Sequence, residues 1–207
     1  MDKNYYITTP IYYPSAKPHM GHAYSSIVAD FFARFKSING FNVFFLTGTD
    51  EHGQKIQRAA ENNNKDPLEF CNEISKTFKE LSKTLNLSNN DFIRTTEERH
   101  YKSVQHLWNI LEKKGEIYLS NYSGWYSVSD EAFYLDNEIE ERNGVKISKI
   151  SGSAVEWVEE ESYFFKLSKW QNKLLEFYDK NKNFILPKSR KNEVISFVKS
   201  GLKDLSV

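Results

Sequence analysis

A single cysteine, Cys71, in 207 residues excludes an internal disulfide and argues against a thiolate-based zinc site. The residue reads as a buried small hydrophobe. Net charge is also absent: 28 basic and 28 acidic side chains cancel, so no overall field draws in nucleic acid, and a local basic face is left open. Long apolar runs are missing too. Nothing has the length needed to cross a bilayer, and the opening MDKNYYITTP lacks the apolar core of a secretory signal, so a cytoplasmic location is expected. What is present is a composition 39% hydrophobic and 15% aromatic, enough for a substantial core in one domain or a domain with an insertion.

Tyr5-Tyr6-Ile7-Thr8-Thr9, stopped by Pro10, has the β-branched and aromatic texture of a buried strand. Ile27, Val28, Phe31, Phe32, Phe35 and Ile38 then recur at helical spacing up to Gly40, which predicts a helix from about His22 to Asn39. Val43-Phe44-Phe45-Leu46 is a continuous apolar run of strand length, as in a parallel sheet covered on both faces. Strand, helix and strand at this spacing make a βαβ unit. Asp66-Pro67-Leu68-Glu69 opens a second helix with the stripe Cys71, Ile74, Phe78, Leu81 and Leu85. Thr95 with Glu98 repeats the capping pattern before Tyr101, Val104, Trp108 and Leu111, and both stripes are expected to pack in the core. From residue 116 the texture changes to short aromatic pieces, Ile117 to Leu119 and Trp125 to Val128, with an acidic run from Asn137 to Arg142. A small β-rich insertion is expected there, followed by helices after Trp170 and over Asn192 to Lys199. Only two parallel strands are legible against the about five or six of a doubly wound sheet, so half of a nucleotide-binding fold is expected.

The stretch Pro14 to His22, with His19-Met20-Gly21-His22, falls where the loop after the first strand meets a helix N-terminus. In an open α/β sheet that is the ligand position, and the unpaired N–H groups with the helix dipole favour an anion. Gly21 removes a Cβ that would hold a nucleotide off the backbone. Two imidazoles can donate to phosphate oxygens as charge builds on them, the chemistry of attack on the α-phosphate of ATP. The same residues also suit an ordinary loop and cap, or a metal pair without an obvious third ligand. Thr47-Gly48-Thr49-Asp50-Glu51-His52-Gly53, ending the second strand, offers either an acid that could hold a cationic group or a turn and helix cap.

Pro10-Ile11-Tyr12-Tyr13, His19-Met20-Gly21-His22-Ala23, Phe45 to Gly53 and Phe92-Ile93-Arg94-Thr95-Thr96 together resemble the methionyl-tRNA synthetases, a family of class I aminoacyl-tRNA synthetases. Pro187-Lys188-Ser189-Arg190, Asn192-Glu193-Val194 and Gly201 to Ser206 resemble that family's return from its inserted domain, so the likeness runs from residue 4 to 207. The resemblance implies an α/β fold, with the first half of a Rossmann-like catalytic domain at 1–115, an inserted β-rich connective domain at 116–187 and a return segment at 188–207. It implies activation of methionine by ATP, taken as its Mg2+ complex, to methionyl-adenylate, then transfer to tRNA(Met). By matching positions, His19, Gly21 and His22 belong to the ATP motif, His19 and His22 are the catalytic pair, Ile11 and Tyr13 line the methionine pocket, and Asp50 binds the substrate ammonium. Aliphatic and aromatic neighbours suit a polarizable thioether, and a carboxylate on an ammonium is a charge-assisted contact.

Two departures stand out. Many relatives carry a zinc knuckle with a C-x-x-C pair where this chain has Ser127-Val128-Ser129-Asp130. No structural zinc is expected, with packing by Trp125, Tyr126, Phe133, Tyr134 and Trp157 in its place. No Lys-Met-Ser-Lys-Ser loop is found either; Lys188-Ser189-Arg190-Lys191 is read as a basic loop, and these 207 residues alone are expected not to charge tRNA. The rival readings are a nucleotidylyltransferase sharing the H-x-G-H loop and a non-catalytic tRNA-binding module. Oligomeric state is not legible in the sequence, and no membrane partner is expected.

Overall fold

A three-stranded parallel sheet frames the first part of the chain. The computed structural model describes residues 3–207, the side chains of Tyr122 and Glu160 excepted; Met1 and Asp2, the start of the expected catalytic half, lie outside it. The chain divides into two compact units, Met1–Gln105 and His106–Val207.

The first unit runs β1 (Asn4–Thr8), α1 (Met20–Ile38), β2 (Asn42–Thr49), α2 (Gln54–Asn62), α3 (Pro67–Thr84) and β3 (Asp91–Arg94), and the division falls inside α4 (Glu98–Lys113). The strands lie in the order β1-β2-β3, all parallel, with Ile7 opposite Phe45 and Gly48 opposite Ile93. Phe45 is fully buried, packed with Ala29 and Ala33 of α1 and flanked by Ile7 and Val43. Burying such a phenylalanine contributes about 1.5–3 kcal/mol. α1 meets the sheet through small side chains, so helix and strands approach closely. Its larger residues, Ile27, Val28, Phe31, Phe32, Phe35 and Ile38, are exposed. Gly48 has a packing reason of its own: a Cβ there would lie 2.1 Å from the Ile93 carbonyl oxygen, so only glycine lets β2 and β3 pair at this point.

Three expectations change. β3 was not legible because it is four half-buried residues with charge at both ends and no alternation. Thr95 does not cap α4: its hydroxyl accepts the Glu51 N–H at 2.8 Å, and the helix starts at Glu98. The stripe on α4 is not core either, since none of its residues is fully buried and Tyr101 and Val104 are exposed. Trp108 and Leu111 are half-buried, and the Trp108 ring meets that of Tyr163 edge-on at 5.1 Å. α3, by contrast, begins as expected, with Asp66 accepting from the N–H groups of Leu68 and Glu69 and Pro67 in its first turn. It buries Phe70, Cys71 and Phe78.

The second unit carries β4 (Ile117–Ser127), β5 (Ala132–Tyr134), β6 (Ile139–Arg142), β7 (Val145–Ser148), β8 (Glu156–Phe165), α5 (Gln171–Lys180), α6 (Lys188–Lys199) and β9 (Leu205–Ser206). An antiparallel sheet in the order β5-β4-β8-β9 is accompanied by a β6-β7 hairpin. The two expected aromatic pieces are one strand, β4, paired with β8 from Ile117 opposite Phe165 to Tyr126 opposite Glu156. Polar residues between the aromatic ends hid its continuity. Lys188 to Lys191 is not a loop but the first turn of α6. The return segment closes on this sheet: β9 pairs with β8, and the Tyr118 hydroxyl donates to Asp204 at 2.8 Å.

Candidate active site

The expected site residues gather at the carboxyl ends of β1 and β2. Past β1 the backbone continues in extended fashion: Tyr12 bridges to Thr49, donates its N–H to the Gly48 carbonyl at 3.1 Å, and accepts the Asp50 N–H at 2.9 Å. Alternation along this segment turns Tyr12 inward, 6% exposed, and leaves its neighbours Ile11 and Tyr13 at 44% and 38%. The pair expected to contact methionine thus flanks a buried tyrosine. The Tyr12 hydroxyl lies 2.9 Å from the Ser26 hydroxyl on α1, and its ring meets that of His22 edge-on at 4.9 Å. Tyr12 therefore ties the strand ends to the histidine motif, a role that reading the sequence missed.

His19 is the N-cap of α1. Its Nδ1 accepts the Gly21 N–H at 3.1 Å, and the Nδ1 of His22 accepts the His19 N–H at 3.1 Å. An imidazole that accepts at Nδ1 and is neutral carries its proton on Nε2. Neither Nε2 has a hydrogen-bond partner among the described residues, so each ring presents a donor to a ligand. The rings lie 3.9 Å apart. Burial, and then the neighbouring His19, hold the His22 imidazole below its usual pKa, which favours the neutral donor form. Gly21 has a second reason to be glycine: a Cβ would fall 2.9 Å from the Cε1 of His19 and displace the capping ring.

After β2 come three residues with different fates. Asp50 is half-buried, and its carboxylate accepts no hydrogen bond among the described residues. Glu51 next to it is saturated: it accepts from the Thr49 hydroxyl at 2.7 Å, Arg94 Nε at 2.7 Å, Arg94 Nη2 at 2.8 Å and the Thr96 hydroxyl at 2.5 Å. His52 places its Nδ1 3.0 Å from the Thr95 hydroxyl. The Arg94 guanidinium is driven above its already high range by the Glu51 bonds. Cys71, whose thiol approaches the Glu51 carbonyl, is pushed up to about 11 by burial first and the Glu51 charge second.

The sequence matches a known family. The model for tRNA synthetases class I (M) fits residues 5–145 and 143–207. The chain belongs to that family. Among curated relatives, the methionine–tRNA ligase of Rickettsia bellii (strain RML369-C) is 57% identical over 207 residues, covering 100% of this chain and 40% of the relative. That of Brucella suis biovar 1 (strain 1330) is 52% identical over 206 residues, covering 99% and 40%. The solved Mycobacterium tuberculosis methionyl-tRNA synthetase in complex with methionyl-adenylate superposes with a TM-score of 0.94 at 46% identity, over 99% of this chain and 40% of that one. The chain thus spans about two fifths of the length of these class I synthetases. The α/β fold with its parallel sheet is the one the resemblance implied.

The stretch expected to stand in place of a zinc knuckle holds a serine–aspartate cluster. Asp130 accepts from the hydroxyls of Tyr134 at 2.8 Å, Ser151 at 2.5 Å and Ser153 at 2.9 Å, and its N–H reaches the Ser127 hydroxyl at 3.3 Å. Ser148 accepts the N–H groups of Ile150 and Ser151. Zinc takes thiolate, imidazole or carboxylate, and this cluster offers one carboxylate already filled by hydroxyl donors, so the donor set does not fit the metal. Of the five expected aromatic residues, Trp125 packs with Trp157 at 5.1 Å and Tyr126 with Phe133 at 4.7 Å, while the Tyr134 hydroxyl joins the Asp130 cluster. The sequence reading missed the serine–aspartate clasp beside them. No helix of the described residues is long and apolar enough to cross a membrane.

Proposed function

We propose that this chain supplies the first part of the catalytic fold of a cytoplasmic methionine–tRNA ligase, with residues 1–115 as the first half of the nucleotide-binding domain, 116–187 as the connective insertion and 188–207 as the return. The observation that carries the reading is the pair of Nε2 donors on His19 and His22 at the N-terminus of α1, beside the carboxyl ends of the sheet. ATP, as its Mg2+ complex, lays its phosphates there. A methionine carboxylate oxygen attacks the α-phosphorus, the bond to the β-phosphate oxygen breaks, and pyrophosphate leaves. Both imidazoles and the helix N-terminus stabilise the charge that builds on the α-phosphate oxygens.

Methionine lies against Ile11 and Tyr13 with its ammonium on Asp50. Of the two adjacent acids, Asp50 has open acceptor positions and Glu51 has none, which supports that choice. In the second step a ribose hydroxyl of tRNA(Met) attacks the methionyl carbonyl and AMP leaves. A sheet ending on β1, with no partner strand on its outer edge among the described residues, fits half of a larger fold. The test is methionine-dependent exchange of pyrophosphate into ATP by the full-length native polypeptide that carries these residues. Exchange that His22→Ala removes supports the reading. Exchange that requires a phosphopantetheine-like acceptor instead of methionine, or binding of tRNA unaffected by His19→Ala and His22→Ala without any exchange, contradicts it.

A further inference from the structure

Asp50 sits on a loop, yet its backbone is held from both sides. Its own N–H donates to the Tyr12 carbonyl at 2.9 Å, and the next N–H, that of Glu51, donates to the Thr95 hydroxyl at 2.8 Å. These are the amides on either side of the Asp50 Cα, so both peptide planes that set its φ and ψ are fixed. Thr95 is buried and is itself anchored, its N–H donating to the Thr49 carbonyl at 3.2 Å.

The anchor extends through the Glu51 side chain, which is 0% exposed, while its partner Arg94 is 16% exposed. Arg94 grips Glu51 with two N–H groups and passes Nη2 on to the Asn72 Oδ1 on α3 at 2.7 Å. A buried ion pair adds little net stability over an apolar replacement, so stability alone gives no reason to build one here. What the pair does supply is a fixed end of β2, tied to β3 and α3 together.

We propose that Thr95, with the Glu51–Arg94 pair, is a positioning unit for Asp50 that aims its open carboxylate at the substrate ammonium; this rests on the methionine reading above. None of the three touches substrate. Their hydrogen-bonding capacity faces inward, and their effect is exerted through the Asp50 backbone.

The test is the methionine and ATP dependence of pyrophosphate exchange by the full-length polypeptide, comparing Thr95→Val, Thr95→Ser and Asp50→Asn. Thr95→Val is expected to raise the methionine KM roughly tenfold with the ATP KM unchanged, the scale of one misplaced charge-assisted contact. Thr95→Ser, which keeps the hydroxyl, is expected to restore it. A Thr95→Val enzyme that loses only active fraction or kcat, with the methionine KM unmoved, would make Thr95 merely structural and overturn the proposal. If Asp50→Asn raises the methionine KM while Thr95→Val does not, positioning alone fails. If Asp50→Asn leaves it unchanged, the underlying reading of Asp50 fails as well. Should Thr95→Val not fold, Arg94→Lys, which keeps the charge and loses the two-pronged grip, is judged by the same criterion.

Discussion

Glu51 and Asp130 are both carboxylates ringed by hydroxyls, and they are built differently. Glu51, in the first unit, is fully buried and carries a guanidinium as well as two threonine hydroxyls. Asp130, in the second, is partly exposed and is satisfied by tyrosine and serine hydroxyls, with no cation in its hydrogen-bond shell. The difference follows from solvation. Near the surface, water shares the charge and neutral donors suffice; in the interior, an ionised carboxylate needs an opposite charge as well. Each arrangement does a distinct job: the first fixes a loop next to the candidate site, and the second ties the turn after β4 to the turn after β7.

Breaking the buried pair from one side should have the largest effect. Glu51→Ala leaves the Arg94 guanidinium without its partner and is expected to cost about 3 kcal/mol, read from the denaturation midpoint of the first unit. Replacing both, as Glu51→Leu with Arg94→Met, should recover most of that stability without recovering the methionine KM. Recovery of both would erase the distinction between a positioning pair and a structural one.

At the other carboxylate a smaller loss is expected. Asp130→Ala should lower the melting temperature of the second unit, while a chelator such as EDTA should leave it unchanged. Asp130 has its pKa lowered mainly by the Ser151 and Tyr134 hydroxyl donors. Its contribution is therefore complete above the ordinary carboxylate range near about 4 and fades as pH falls through the lower native value. A melting temperature that drops with chelator would contradict the clasp.

Smaller again is the effect of His22. Its lowered pKa means that the unfolded chain takes up a proton first as pH falls, so stability decreases from about pH 6.5 down through the native value. NMR titration of the ring should place it below the usual imidazole range, and His19→Ala should move it part of the way back. Least visible is Cys71, whose thiol at about 11 should resist alkylation at pH 8 until the chain unfolds.

Much of this was legible in the residues themselves. The βαβ unit, the proline-started α3 and the histidine loop each follow from local rules that tertiary packing does not override. Glu51 and Thr95 were not legible. Thr95 followed three residues later by Glu98 satisfies the capping pattern, and only the approach of β2 to β3 diverts its hydroxyl to Glu51. Nothing in an Asp-Glu-His run says which acid will be buried. That is decided by Arg94, 43 residues further along the chain. The clasp escaped for a similar reason, because Asp130 meets Ser151 and Ser153 only when β4 and β7 have formed.

The most direct measurement is a crystal structure of the full-length polypeptide with methionine and a non-hydrolysable ATP analogue bound. The account predicts the methionine ammonium within hydrogen-bond distance of the Asp50 carboxylate, the α-phosphate on the Nε2 atoms of His19 and His22, and Glu51 still bonded to Arg94. An ammonium held by Glu51, with its bonds to Arg94 broken, would contradict it.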